Sequence, residues 1–154
     1  MTQLPKTITL LIADDDAEDR MMLKEALVEN RLANNLRFVH DGEELMNYLN
    51  LRGGYENLAD HPRPGLILLD LNMPKKDGRE ALKEIKSTPH LKDIPVVVLT
   101  TSKTEEDVIR SYGLGVNSFI SKPVTFEALV AITRDLGRYW FEIVELPIHH
   151  EQQK

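Results

Sequence analysis

Apolar runs rich in β-branched residues recur at Thr7 to Ala13, Leu36 to Val39, Gly65 to Leu69, Ile94 to Leu99 and Val116 to Ile120. Each has the length and composition of a strand. Between them the apolar positions fall at helical spacing: Met21, Met22, Leu23, Ala26 and Leu27; then Leu45, Met46 and Leu49; then Ala81, Leu82 and Ile85; then Val108, Ile109 and Tyr112. Strict alternation of this kind predicts parallel strands joined by right-handed crossovers. The near-continuous runs Leu66 to Leu69 and Val96 to Leu99 suit strands covered on both faces, so the expected class is a doubly wound α/β sheet. Asp16, Ser102 or Thr104, and Thr125 stand where a side-chain oxygen can cap a helix start, and Gly113 and Gly115 read as stops after the fourth helix.

Two segments exceed what that alternation needs. Gly53 to Pro64 separates the second helix from the third strand by roughly twice the usual connection of about 4–6 residues. A surface insertion is the plain interpretation, because closure entropy grows slowly with loop length; a loop that contacts a partner is the alternative. At the other end, Leu129, Ile132, Leu136, Tyr139, Trp140, Ile143 and Val144 make one helical stripe that stops before Pro147. As far as Leu136 the stripe has a sheet to cover, but beyond Gly137 it runs past the expected sheet edge, and exposed apolar surface of that kind marks an interface. The chain thus divides into a main domain of residues 1–138 and an extension of residues 139–154, through which a homodimer is expected.

Length and composition narrow the possibilities. A chain of 154 residues fits one domain. It has no cysteine, which removes disulfides, thiolate metal sites and a cysteine nucleophile. A net charge of -6 argues against nucleic acid as a partner, since phosphate contacts need clustered Lys and Arg. The N-terminal apolar run, Ile8 to Ala13, is too short for a membrane span and unlike a cleavable signal, so a cytoplasmic location is expected. His149 and His150 lie in a polar tail and read as exposed, not as metal ligands.

The chemistry lies in where the polar residues fall. Asp14 and Asp15 end the first strand, Asp70 the third and Thr100 the fourth, while Lys122 follows the fifth. In an open parallel sheet these strand ends share one crevice. Taken singly, each residue has a plain explanation: a helix cap, a buried hydroxyl bonded to backbone, a solvated lysine. Together they place three carboxylates in one crevice, where like charges repel unless a cation sits among them. Hard oxygen ligands facing a phosphate match Mg²⁺, with Mn²⁺ as a substitute. A carboxylate can also act as a nucleophile and form an acyl phosphate, and Asp70 is the central candidate. Lys122 would supply a point charge, Thr100 a hydroxyl donor, and the loop after Asp70 backbone N–H groups.

The stretches LLIADDD, LILLDLNMPKKDG, IPVVVLTTS and SFISKP, in that order and spacing, resemble the receiver domain of bacterial response regulators. The resemblance runs from about Thr7 to Leu136. With the long connection before the third strand and the ending RYWFEIVELP, the chain is most similar to the small regulators associated with cyanobacterial and bacterial phytochromes. The resemblance implies a flavodoxin-like (βα)5 sheet of strand order 2-1-3-4-5. It also implies that Asp70 receives a phosphoryl group from a sensor histidine kinase, such as a phytochrome. Asp15 and Asp70 would bind Mg²⁺ directly, Asn72 through its backbone carbonyl and Asp14 mostly through water. Thr100 matches the switch hydroxyl, Lys122 the lysine at the phosphoryl group, Phe119 the switch aromatic, and Lys122–Pro123 the usual cis peptide.

By the same resemblance the chain is a phosphoacceptor with only intrinsic phosphorylation and dephosphorylation, not an enzyme with a separate substrate. No DNA-binding segment is expected after the receiver. Phe119 lacks the hydroxyl of the more familiar tyrosine, and Thr101 is bulkier than the usual alanine. A haloacid-dehalogenase-type phosphatase would need a second acid where Asn72 stands, and a flavin-binding flavodoxin would need a Ser-, Thr- and Gly-rich loop where Asp14 to Asp16 stand.

Overall fold

The computed structural model describes residues 9–30, 35–57, 61–71, 73, 75–100, 118–121 and 125–137, with backbone only for 100, 118–121, 136 and 137. In chain order these residues form β1 (Leu10–Ala13), α1 (Ala17–Glu29), β2 (Leu36–Val39), α2 (Gly42–Leu49), β3 (Leu66–Asp70), α3 (Gly78–Ser87), β4 (Val96–Thr100), β5 (Ser118–Ser121) and α4 (Phe126–Gly137). The strands make one parallel sheet in the order β2-β1-β3-β4-β5, the order that the resemblance implies. The helix expected between β4 and β5, the Lys122–Pro123 bond and the stripe beyond Gly137 lie outside the described residues.

Side chains alternate across a strand with period two, and here the alternation sorts the core into two layers. Leu11, Ala13, Ile67, Leu69, Val96 and Val98 point to one face, where Leu45, Met46 and Leu49 of α2 and Ala81, Leu82 and Ile85 of α3 cover them. Leu10, Ile12, Leu66, Leu68, Val97 and Leu99 point to the other, against Leu23, Ala26 and Leu27 of α1 and Leu129 of α4. Asn30, at the end of α1, ties these two helices together. Its Nδ2 donates to the Val130 carbonyl at 2.9 Å and to Thr133 Oγ1 at 2.7 Å.

Met21 departs from the expected stripe. It is 64% exposed, because it lies about 200° around the helix from Leu23 at roughly 100° per residue. β4 begins at Val96 and not at Ile94, since Pro95 has no N–H to give a ladder. β3 ends on Asp70, as expected, whereas β1 stops at Ala13, one residue before Asp14.

Helix starts follow side-chain caps. Asp16 accepts from the Glu18 and Asp19 N–H groups at 2.8 and 3.0 Å, and Thr125 Oγ1 accepts from Ala128 N at 3.1 Å. Asp41 and Asp77 cap α2 and α3 in the same way. The described part of the long connection packs on α2: Tyr48 donates to the Pro62 carbonyl at 2.9 Å, and the Tyr48, Tyr55 and His61 rings cluster with centroids 4.9 to 5.8 Å apart.

Candidate functional site

β1 and β3 are hydrogen-bonded neighbours, with Ala13 opposite Leu69. The next residue is an aspartate in both cases, Asp14 just past β1 and Asp70 as the last residue of β3, so the two emerge side by side at the carboxyl edge of the sheet. With Asp15 they form a cluster in which one carboxylate oxygen from each residue lies within 4.8 Å of the others. Asp14 and Asp70 are only 2% and 4% exposed, whereas Asp15 faces solvent. Like charges at this distance in a partly buried crevice repel by several times the thermal energy at an effective dielectric of about 20. Three hard oxygen donors, two shielded and one open, therefore fit a small divalent cation.

The turn after β1 is fixed by hydrogen bonds around Asp14. Its N–H donates to the Val39 carbonyl at 3.1 Å. Its Oδ1 accepts from Asp16 N at 3.0 Å, and its carbonyl accepts from Arg20 Nη1 at 2.8 Å. Arg20 was not legible as a site residue from motif or periodicity. The one available signal was that it is the sole cation in a stretch, Asp14 to Arg20, that carries five acids.

The turn after β3 is held from two sides. Gly78 N donates to the Leu71 carbonyl at 3.0 Å. A Cβ at Gly78 would stand 2.5 Å from the Asp70 carbonyl oxygen and 2.6 Å from Leu71 Cα, so only glycine admits this approach. From the other side, a Cβ at Gly42 would overlap the Lys76 carbonyl, which brings the start of α2 onto the same loop. Lys75, with φ 65°, lies with its Nζ 3.9 Å from both Asp41 Oδ2 and Glu43 Oε1. Leu71 and Met73 bury their side chains in the core between these anchors.

The structure thus brings together Asp14, Asp15 and Asp70. The backbone places Thr100 at the end of β4, one residue past the Asp70–Leu99 pair, and Phe119 in β5 opposite Val98. Asn72 and Lys122 lie outside the described residues.

Beside this site, in a groove between α2 and the long connection, Tyr55 donates its hydroxyl to Glu44. Burial, and then that bond, push its phenol well above the ordinary range.

A family model described as the response regulator receiver domain matches residues 10–134. The chain is 46% identical over 143 residues to response regulator Rcp1 of Synechocystis sp., covering 93% of this chain and 95% of that protein. Among solved structures it is similar to the phosphorylated cyanobacterial phytochrome response regulator RcpA, with a TM-score of 0.82 and 43% identity, covering 92% of this chain and 99% of that one. It is also similar to the Mn²⁺-bound form of Rcp1, with a TM-score of 0.80 and 44% identity over 91% and 99% of the two chains.

Proposed function

This chain belongs to the response regulator receiver domain family, and from that premise we propose that Asp70 accepts a phosphoryl group from the phosphohistidine of a sensor histidine kinase of the phytochrome type. The observation that carries the proposal is the meeting of the Asp14, Asp15 and Asp70 carboxylates within 4.8 Å at the ends of adjacent strands. In the transfer, a carboxylate oxygen of Asp70 forms a bond to phosphorus as the phosphorus–nitrogen bond to the imidazole breaks. Hydrolysis of the acyl phosphate then returns the free carboxylate.

Asp15, Asp70 and the Asn72 backbone carbonyl would hold Mg²⁺, or Mn²⁺ in its place, with Asp14 acting through water. Bound there, the cation supplies positive charge against the phosphoryl oxygens. The pinned loop after β3 keeps Asp70 from retreating as charge develops. Lys122 contributes a point charge to the phosphoryl group, and Thr100 is drawn toward it. The space that Thr100 leaves is filled by Phe119, and the resulting two-state shift changes a protein-binding surface.

In this assignment residues 1–138 are the receiver and residues 139–154 an arm that pairs two copies. The phosphorylated protein is a signal carrier with no substrate to turn over, and it works in the cytoplasm beside its kinase. None of the described helices is long and apolar enough to cross a membrane.

Incubation with acetyl phosphate and Mg²⁺, followed by intact mass, tests the assignment. Wild type should gain one hydroxylamine-labile phosphoryl group and Asp70→Asn none, with the fold intact. Equal labelling of the two proteins would refute it.

A further inference from the structure

We propose that Arg20 is a positioning residue for the metal site: its guanidinium fixes the peptide between Asp14 and Asp15 and so aims the Asp15 carboxylate. The inference rests on the function proposed above. Arg20 Nη1 donates to the Asp14 carbonyl at 2.8 Å from the first turn of α1. That carbonyl and the Asp15 N–H belong to one rigid planar unit. The other handles on Asp14 are taken as well, with its N–H on the Val39 carbonyl and its Oδ1 on Asp16 N. Rotation of the unit would swing Asp15, the one carboxylate of the three that faces solvent. The bond from Arg20 is the charged restraint on that rotation, and hydrogen bonds to ionised donors are the strong ones.

The charge of Arg20 pulls the opposite way. A guanidinium close to the crevice repels a divalent cation, so if it acted through charge alone its removal would tighten Mg²⁺ binding. If it acts by holding the peptide, removal weakens binding in spite of the lost repulsion. Loss of an outer hydrogen bond that orients a metal-binding group costs about 10-fold or more in affinity. The sign of the change therefore separates the two roles.

The test uses the full chain, with Mg²⁺ affinity measured by calorimetry and the rate of phosphorylation by acetyl phosphate followed against Mg²⁺ concentration. Arg20→Met should raise the dissociation constant and the half-saturating Mg²⁺ concentration about 10-fold. The rate at saturating Mg²⁺ should stay near that of wild type, because Asp70 itself is untouched. Arg20→Lys, which keeps a charged donor on a long stem, should recover most of the affinity. Arg20→Gln, neutral and shorter, should fall between the two and serves if the methionine variant does not fold. Unchanged or tighter Mg²⁺ binding in Arg20→Met would overturn the inference. So would a lysine variant no better than the methionine one, or a loss confined to the saturated rate. Wild type that binds no Mg²⁺ and takes no phosphoryl group would instead sink the proposed function.

Discussion

Replacing Gly78 by alanine sets two effects of opposite sign against each other beside Asp70, the proposed phosphoacceptor. Gly78 is the first residue of α3, and alanine in a helix interior is favoured over glycine by about 1 kcal/mol, less at the first position. Against this, the added methyl would lie 2.5 Å from the Asp70 carbonyl oxygen and 2.6 Å from Leu71 Cα. Ordinary contact needs roughly 3.5 Å, so the α3 start must retreat by roughly 0.5–1 Å. The obstructing atoms are backbone in a buried strand end, which cannot rotate away. Overpacking of this kind costs about 1–3 kcal/mol, so the steric term wins and the expected net loss is about 1–2 kcal/mol. At this chain length that lowers the melting temperature by roughly 3–6 °C. Urea unfolding should show a lower midpoint with an unchanged slope. Because the crowded atoms include the Asp70 carbonyl, Mg²⁺ affinity should fall too. A Gly78→Ala protein as stable as wild type, or more so, would show that helix propensity outweighs the close approach and refute the reasoning.

Asp15→Ala should weaken Mg²⁺ binding more than Asp14→Ala, since Asp15 is exposed and Asp14 Oδ1 already accepts from Asp16 N; equal affinities in calorimetry would contradict that order. Tyr55→Phe should cost about 1 kcal/mol at neutral pH through the lost bond to Glu44. The Tyr55 phenol holds its proton in the folded state above its ordinary value near 10, so its contribution is complete below that pH and is lost as pH rises beyond it. The stability gap between wild type and Tyr55→Phe should therefore narrow above about pH 10 in denaturant titrations, and a gap that widens would refute this. Truncation after Arg138 should give a monomer by sedimentation that still accepts phosphate on Asp70; a full-length chain that is itself monomeric at high micromolar concentration would remove the dimer proposal.

How far the sequence reveals the structure depends on whether a feature is periodic. β2 is found at Leu36–Val39, as its apolar run predicts, and the cores of β1, β3 and β4 follow the same rule. Asp16 and Thr125 were legible as caps because each precedes a helix whose periodicity is clear. Asp41 and Asp77 were not, because each precedes a glycine and Asp-Gly reads first as a turn. Met21 sat in an apolar run, yet its angle on α1 turns it to water. The three acids of the site could be placed by topology alone, since each lies at or just past a strand end. Arg20 reaches its partner across six residues of turn and helix, and Gly78 and Gly42 matter for the side chain they lack. The ring cluster of Tyr48, Tyr55 and His61 depends on a connection with no repeat for a pattern to show.

Asp14 and Asp15 are adjacent, identical in chemistry and both in the cluster, yet their surroundings give them different tasks. Asp14 continues the buried strand β1, its backbone N–H and carbonyl are both bonded within the turn, and one carboxylate oxygen is engaged by Asp16 N. Moving it toward a ligand would break these bonds in a nearly solvent-free position, where each lost bond costs about 1–3 kcal/mol. Asp15 has left the strand and faces water, so turning its carboxylate onto a cation exchanges water contacts for contacts with the cation at little structural cost. In the proposed site Asp14, held by its own turn, shapes the crevice and keeps negative charge in it, while Asp15 can turn to ligate. The division follows from where the strand ends and the turn begins. It agrees with the proposal, drawn from the family resemblance, that Asp15 ligates the cation directly while Asp14 acts through water.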